Sequence, residues 1–292
     1  MVADFAEATR QWQQEGFAVV PGVVPADEID AVAGDLARLY GADSFDDYNQ
    51  ARGFGDGDPL GKQFRSSQFD GMRGFPQPGC GALNDLFVHP RLVAFARSAL
   101  ADDDLRIYQA AVWAKWAGAI NYEQPLHQDG NHSLVPPRME PGFWHLETFL
   151  YLTDVDDGCA PPRLVPRRWS HLAADEMYDH EIVATGRRGT LLAYRSDVWH
   201  RGTDFARPDA ARAVLVVGFR PAAAEWFGYD AFARQGNSRV FADFVRGKSP
   251  DDLALFGIPR PGHPYWNTAT VEAMAAKYPG LDLTPWRSAL PR

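Results

Sequence analysis

Residues 189–220, "GTLLAYRSDVWHRGTDFARPDAARAVLVVGFR", decide the fold. Two runs rich in β-branched, aliphatic and aromatic residues flank a ten-residue stretch of Gly, Asp, Pro and Arg, the pattern of strand, loop and strand. The first run ends at His200 and the second carries Arg212 near its start, so a hairpin here brings an imidazole and a guanidinium together. Short runs of the same kind recur upstream: "LRIYQAAVWAKWA" (105–117), "FWHLETFLYLTDV" (143–155), "RLVPRRWS" (163–170) and "EIVAT" (181–185). Gly, Pro and Asp separate them, as in an antiparallel sandwich or barrel.

Helical patterning frames this β-rich centre. "FAEATRQWQQEGFAVVPGVVPADEIDAV" reads as helix, short strand, turn and helix. Gly16 closes the first helix, and Pro25 with its following acids opens the second, where they suit the helix dipole. From Gly41 to Asp85 the pattern dissolves into a long loop of Gly, Asp, Pro and aromatics. "NDLFVHPRLVAFARSAL" returns to helical spacing, with Leu86, Val93, Phe95 and Leu100 as core contacts and His89 at a helix start. The aromatic-rich chain from Pro221 reads as a helical cap (221–292) joined without a linker, so that 1–292 forms one domain with N-terminal helices over residues 1–100.

Composition narrows the function classes. With 46% hydrophobic and 23% charged residues the chain is an ordinary globular one rather than disordered or fibrous. A formal net charge of -9 with no basic block repels nucleic acid and anionic membrane, which favours a small-molecule substrate. The two cysteines, Cys80 and Cys159, are too few for a disulfide framework and fit a reducing cytoplasm. No signal-peptide pattern and no membrane-length apolar run is visible, and oligomeric state stays open.

The chemistry begins in "PLHQDGNHS" (125–133), where His127 and Asp129 stand two residues apart. Side chains at i and i+2 of a strand share a face, so both can reach one ion. With a third ligand from His200 they make a 2-His-1-carboxylate face, the arrangement that suits non-haem iron(II) with positions left open. Arg212 offers a planar fork for a carboxylate.

The ordered set His127-x-Asp129, His200 and Arg212 resembles the phytanoyl-CoA dioxygenase family of iron(II)/2-oxoglutarate oxygenases. "WQQEGFAVVPGVVPADEIDAV" and "DDGCAPPRLVPRRWSH" also resemble family segments, and the likeness covers roughly residues 11–220. It implies a mainly β protein with flanking helices around a double-stranded β-helix, or jelly-roll, core. It also implies iron(II), 2-oxoglutarate and dioxygen as reactants, succinate as co-product, and Arg212 on the C5 carboxylate of the co-substrate. Gln109 and Lys115, on a strand resembling one that contacts the co-substrate, are further binding residues. Gly202 stands where the family often has serine, so the helping hydroxyl comes from Thr203 or is absent. Since Asp129 keeps its carboxylate, hydroxylation or a related oxidation is expected rather than halogenation. The alternative is a non-catalytic jelly-roll that binds metal or ligand without turnover.

His145 and Glu147 repeat the i, i+2 spacing and form a rival ligand pair. His132, His171, His180 and His263 lack partners at ligand spacing and read as surface or capping residues. Arg201, Arg207 and Arg220 are less suited than Arg212 by direction, loop position and distance. The loop 41–85 and the C-terminal region are expected to shape the substrate pocket, with Lys62, Arg65 and Arg73 as basic groups for an anionic substrate.

Overall fold

Strands β3 (Leu105–Trp116) and β9 (Ala211–Pro221) are the two longest among the described residues, and they pair antiparallel along nearly their whole length. The computed structural model describes residues 5–41, 69–117, 121–129, 134, 144–228 and 232–291. Around the central pair lie β1 (Phe17–Val20), β2 (Met72–Gly74), β4 (Leu146–Tyr151) and β7 (Leu191–Tyr194), giving a six-stranded sheet in the order β1-β7-β4-β9-β3-β2. A second sheet, β6-β5-β8, is built from β5 (Arg163–Leu164), β6 (Ile182–Val183) and β8 (His200–Arg201). All pairings in both sheets are antiparallel.

Strand alternation explains how the sheets face each other. On β9, Ala213, Leu215, Val217 and Phe219 join a core that includes Trp12, Leu36, Phe95, Phe241 and Trp286 from helices outside the sheet. The alternate residues Val214 and Val216 turn inward, where they share a second core with Leu164, Val198 and Phe205 from the smaller sheet and its loops. Successive side chains of a strand point to opposite faces, so one sheet separates an outer helical layer from a jelly-roll interior. The mainly β fold with flanking helices and a jelly-roll core is thus present.

Three expectations change. His200 and Arg212 do not lie on a hairpin, because β8 belongs to the small sheet and β9 to the large one. The intervening loop crosses from sheet to sheet, and the two residues meet by facing across the interior. The stretch expected to be loop through Asp85 contains β2 and the helix Gly81–Asp85. An edge strand of three residues, Met-Arg-Gly, has too little alternation to be read, and it forms because Met72, Arg73 and Gly74 pair with Trp113, Val112 and Ala111. Finally, the described residues of the C-terminal region pack elsewhere than expected, and among the described residues none after Val216 lines the large interior cavity.

Its aromatics go elsewhere. Phe241, Phe244 and Phe256 surround Phe75, with ring centroids 6.4, 4.8 and 5.1 Å away, and Trp286 is buried with its indole N–H donating to the Pro259 carbonyl. Such pairs add about 0.5–1.5 kcal/mol each beyond the area they bury. Their partners lie in the same continuous outer core as the N-terminal helices.

Candidate active site

The HxD segment is held by backbone pairing. His127 and His200 form an antiparallel bridge in which each amide donates to the other's carbonyl, at 3.0 and 2.9 Å, and the Asp129 amide donates to Ser196 at 3.1 Å. This places the segment beside β8 and turns His127, Asp129 and His200 toward one another. Their ligand atoms all lie within 4.8 Å of one another, and among the described residues this is the group of three that could hold a metal ion. Asp129 lies between the rings, 3.7 Å from His127 Nε2 and 3.2 Å from His200 Nε2.

The ring nitrogens show which atoms are turned toward an ion. His127 Nδ1 is 2.9 Å from the Pro125 carbonyl and His200 Nδ1 is 2.9 Å from the Val198 carbonyl. A carbonyl can only accept, so each Nδ1 donates, and each Nε2 is the nitrogen turned toward the Asp129 carboxylate. Metal-binding histidines have this arrangement, the second nitrogen being held by a hydrogen bond. Tyr194 donates to the Asp129 carboxylate at 3.2 Å and steadies the third ligand. Burial alone would lower the pKa of His200; the charge and hydrogen bond of Asp129, aided by the Val198 carbonyl, outweigh it and raise it. An entering cation therefore displaces a proton from this group.

The group lies in a cavity of about 620 Å³ that also receives Arg212, Gln109, Glu147, Phe149 and Trp113. Arg212 is 4% exposed, its Nη1 donates to the Ala160 carbonyl, and its Nε is buried without a hydrogen-bond partner among the described residues. Burial lowers its pKa, opposed by Tyr122, Tyr151 and Cys159. A buried guanidinium nitrogen without a partner is costly. A carboxylate arriving from the cavity would satisfy it, and this orphaned donor, with the two forward Nε2 atoms, is how the site fits iron(II) and 2-oxoglutarate.

Gln109 lines the cavity as well, but in register with Gly218, six residues along β9 from Arg212 or roughly 20 Å of strand. It cannot share one carboxylate with Arg212 and faces the far end of the site. Lys115 and Thr203 are not among the residues that line the cavity. The Lys115 ammonium donates to the Tyr122 and Thr203 carbonyls at 3.1 and 2.7 Å, and lies 3.8 Å from the Tyr122 ring centroid. Burial first and Arg212 second push its pKa well below the usual lysine value. The Thr203 hydroxyl donates to the Pro161 carbonyl at 2.7 Å. Both groups are committed to backbone behind Arg212, a choice that strand parity does not reveal.

The rival pair separates. Glu147 lines the cavity, whereas His145 is buried beside Phe227 and Tyr108, at ring distances of 4.1 and 5.8 Å. Arg201 pairs with Glu181 and Glu123, Arg207 with Asp156, and Arg220 with the Pro221 and Ala222 carbonyls. Arg73 bonds to the Asp70 and Met72 carbonyls and stands over Tyr40, away from the cavity lining. Lys62, Arg65 and His132 lie outside the described residues. His89 accepts from Arg91 at a helix start, His180 stacks on Trp169, and His263 accepts from the Tyr265 amide. Tyr194 and Tyr108 were missed as site residues; the alternation of "LLAY" points Tyr194 inward, but only the bulge described below reveals Tyr108.

A jelly-roll with two histidines and a carboxylate converging beside a buried arginine defines the class of non-haem iron oxygenases that use 2-oxoglutarate. The phytanoyl-CoA dioxygenase (PhyH) family model matches residues 12–206, and the chain belongs to that family. It is accordingly a 2-oxoglutarate-dependent non-haem iron oxygenase. No curated protein matches the sequence significantly. Among solved structures, the α-ketoglutarate-dependent epimerase SnoN of nogalamycin biosynthesis is 17% identical, with a TM-score of 0.55 over 74% of this chain and 82% of that chain. EctD from S. alaskensis, with 2-oxoglutarate and 5-hydroxyectoine, is 16% identical, with a TM-score of 0.56 over 75% and 77% of the two chains. HygX from Streptomyces hygroscopicus, with nickel and 2-oxoglutarate, is 17% identical, with a TM-score of 0.52 over 78% and 96%. At these identities the likeness is one of fold. No helix among the described residues is long and apolar enough to cross a membrane.

Proposed function

We propose that His127, Asp129 and His200 hold the iron(II), that Arg212 binds the C5 carboxylate of 2-oxoglutarate, and that the enzyme oxidises a small organic molecule in the remaining cavity. When bound, iron and co-substrate supply the oxidising chemistry, in which dioxygen is consumed, 2-oxoglutarate becomes succinate and carbon dioxide, and a substrate C–H bond is oxidised. The protein's residues position and protect. The Pro125 and Val198 carbonyls hold Nδ1 of His127 and His200, so that each Nε2 is the nitrogen offered to the metal, and Tyr194 fixes the Asp129 carboxylate. Gln109 serves the end of the site remote from Arg212.

The observation that carries this reading is the cavity shared by the three convergent ligands and Arg212, whose buried Nε has no hydrogen-bond partner among the described residues. The bound 2-oxoglutarate of EctD and of HygX supports it on the same fold. A cytoplasmic setting is supported by Cys80 and Cys159, both free and buried, which suit a reducing compartment. The test is anaerobic titration of the iron(II) protein with 2-oxoglutarate, following the charge-transfer absorption of the chelate. The expected result is saturation at one equivalent. Absence of the band in folded, iron-loaded protein overturns the reading.

A further inference from the structure

We propose that the protein carries a second ligand site, outside the interior cavity, in which Arg220 binds the carboxylate of a small organic acid with an apolar body. The site is a cavity of about 710 Å³ at the end of the β3–β9 pair, and none of its lining residues lines the interior cavity. A space of that size suits a small molecule, since ligand pockets run from roughly 300 to 1,000 Å³.

Strand register creates the site. Arg106 of β3 and Arg220 of β9 are direct partners, and both line this second cavity. Further along the ladder Ile107 faces Phe219, the register slips, and Gln109 of the interior cavity faces Gly218. Tyr108 is the extra, bulged residue at the slip, so the bulge divides the arginine row from the interior cavity. Like charges directly opposite each other on an antiparallel pair repel. Two facing guanidiniums therefore call for anions beside them.

The acids present serve the other arginines. Asp104 pairs with both Arg106 and Arg260, and Asp251 pairs with Arg260 at 2.9 Å. Arg220 has only neutral partners: its Nη1 donates to the Pro221 and Ala222 carbonyls at 3.1 and 3.2 Å, and its buried Nε has no hydrogen-bond partner. Burial first and Arg106 second lower its pKa, opposed at longer range by Glu225, which is exposed on the lining. Among the described residues, Arg220 is thus the guanidinium of this cavity that has no ion pair, and a carboxylate entering the cavity supplies one.

Charge and shape name the ligand. One unpaired guanidinium fits a monoanion, and its planar fork matches a carboxylate. A phosphate dianion brings more charge than the site leaves unpaired. His263 adds a donor on the lining: its Nδ1 accepts from the Tyr265 amide at 3.1 Å, so its Nε2 carries the ring proton. Ile107, Leu255, Phe232 and Phe256 give the same cavity an apolar wall, and an acid with an apolar body removes that surface from water.

2-Naphthoate and its neutral isostere 2-naphthamide test this, titrated by calorimetry into the iron(II) and 2-oxoglutarate protein without oxygen. Naphthoate is expected to bind about tenfold more tightly or better, and Arg220→Gln to abolish the preference. Glu225→Gln, which removes the opposing acid from an exposed position, is expected to tighten naphthoate by about two- to threefold. Ala233→Trp fills the cavity from another exposed lining position and is expected to block both probes. Equal affinity of the two probes in the wild type, or binding of neither, overturns the inference, as does a preference that survives Arg220→Gln. Should Arg220→Gln fail to fold, unchanged naphthoate binding in Ala233→Trp overturns it alone. Naphthoate binding that is lost in Arg212→Ala and kept in Arg220→Gln would place the probe in the interior cavity and overturn it as well.

Discussion

His127 and His200 are bridge partners whose ring centroids lie 4.5 Å apart, each ring held by the carbonyl two residues before it. The two imidazoles are therefore positioned by the same backbone ladder that joins the HxD segment to β8. Loss of either ring leaves two ligands, too few to hold an open-sited ion firmly. His127→Ala and His200→Ala are expected to weaken iron(II) binding by more than about 100-fold, beyond the ~10–100-fold typical of a lost supporting partner. Tyr194→Phe, which removes such a partner from Asp129, is expected to fall within that smaller range. Equilibrium dialysis with iron(II) measures all three, and wild-type affinity in folded His200→Ala would remove the residue from the metal-binding group.

The proposed role of Arg212 allows co-substrate binding to be tested apart from metal binding. Lysine keeps the charge but loses the planar fork. Arg212→Lys is expected to raise the 2-oxoglutarate requirement, and Arg212→Ala to raise it by about tenfold or more, as a hydrogen bond to a charged group contributes roughly 1.5–3 kcal/mol. Iron affinity should be unchanged in both. The same anaerobic charge-transfer titration reads this, and identical curves for wild type and Arg212→Ala would assign the anchor elsewhere.

The fold and the convergence of His127, Asp129 and His200 were largely legible because they depend on local periodicity and ordered spacing. His127 and Asp129 share a face by strand parity alone, and the β-rich runs around His200 and Arg212 became strands. What was not legible depends on contacts between distant segments. Parity assigns Lys115 to the interior face, but its commitment to Tyr122 and Thr203 requires the loop after β8 to fold over the end of β3. Tyr108 reaches Glu147 from a bulge, and an extra residue in a ladder leaves no mark in the hydrophobic pattern. The C-terminal region was expected to help shape the pocket because composition does not say which side of a sheet its aromatics cover.

Asp104 provides a pH test away from the site. It joins Arg106 at the start of β3 to Arg260 of the C-terminal segment. Burial would raise its pKa, but the hydrogen bonds and charges of Arg106 and Arg260 outweigh it and hold it below the usual carboxylate value. A carboxyl depressed in the folded state stabilises above its unfolded pKa, and that contribution is lost as pH falls through the folded pKa. The pair is half exposed, so the effect should be small, under about 1 kcal/mol. Asp104→Asn is expected to lower stability at pH 7 by that amount, with the gap from wild type closing below about pH 3.8. Urea unfolding at both pH values checks it, and a gap that widens in acid would contradict the assignment.

Gly218 tests whether the bulged tyrosine and the buried acid act as one unit. The position needs no positive φ, so what excludes a side chain is space: a Cβ would sit 2.7 Å from the Tyr108 ring, between strands that cannot separate without breaking the β3–β9 ladder. Overpacking of this kind costs about 1–3 kcal/mol. Tyr108 can yield only by leaving Glu147, because its ring is closed in by His145 on another side. Gly218→Ala is therefore expected to destabilise the protein by roughly that amount, while Tyr108→Phe combined with Gly218→Ala should show less than the additive loss, since the two changes disturb one contact. Denaturant unfolding of the four proteins in the cycle measures the coupling. Strict additivity would mean that the glycine is not there to admit the tyrosine.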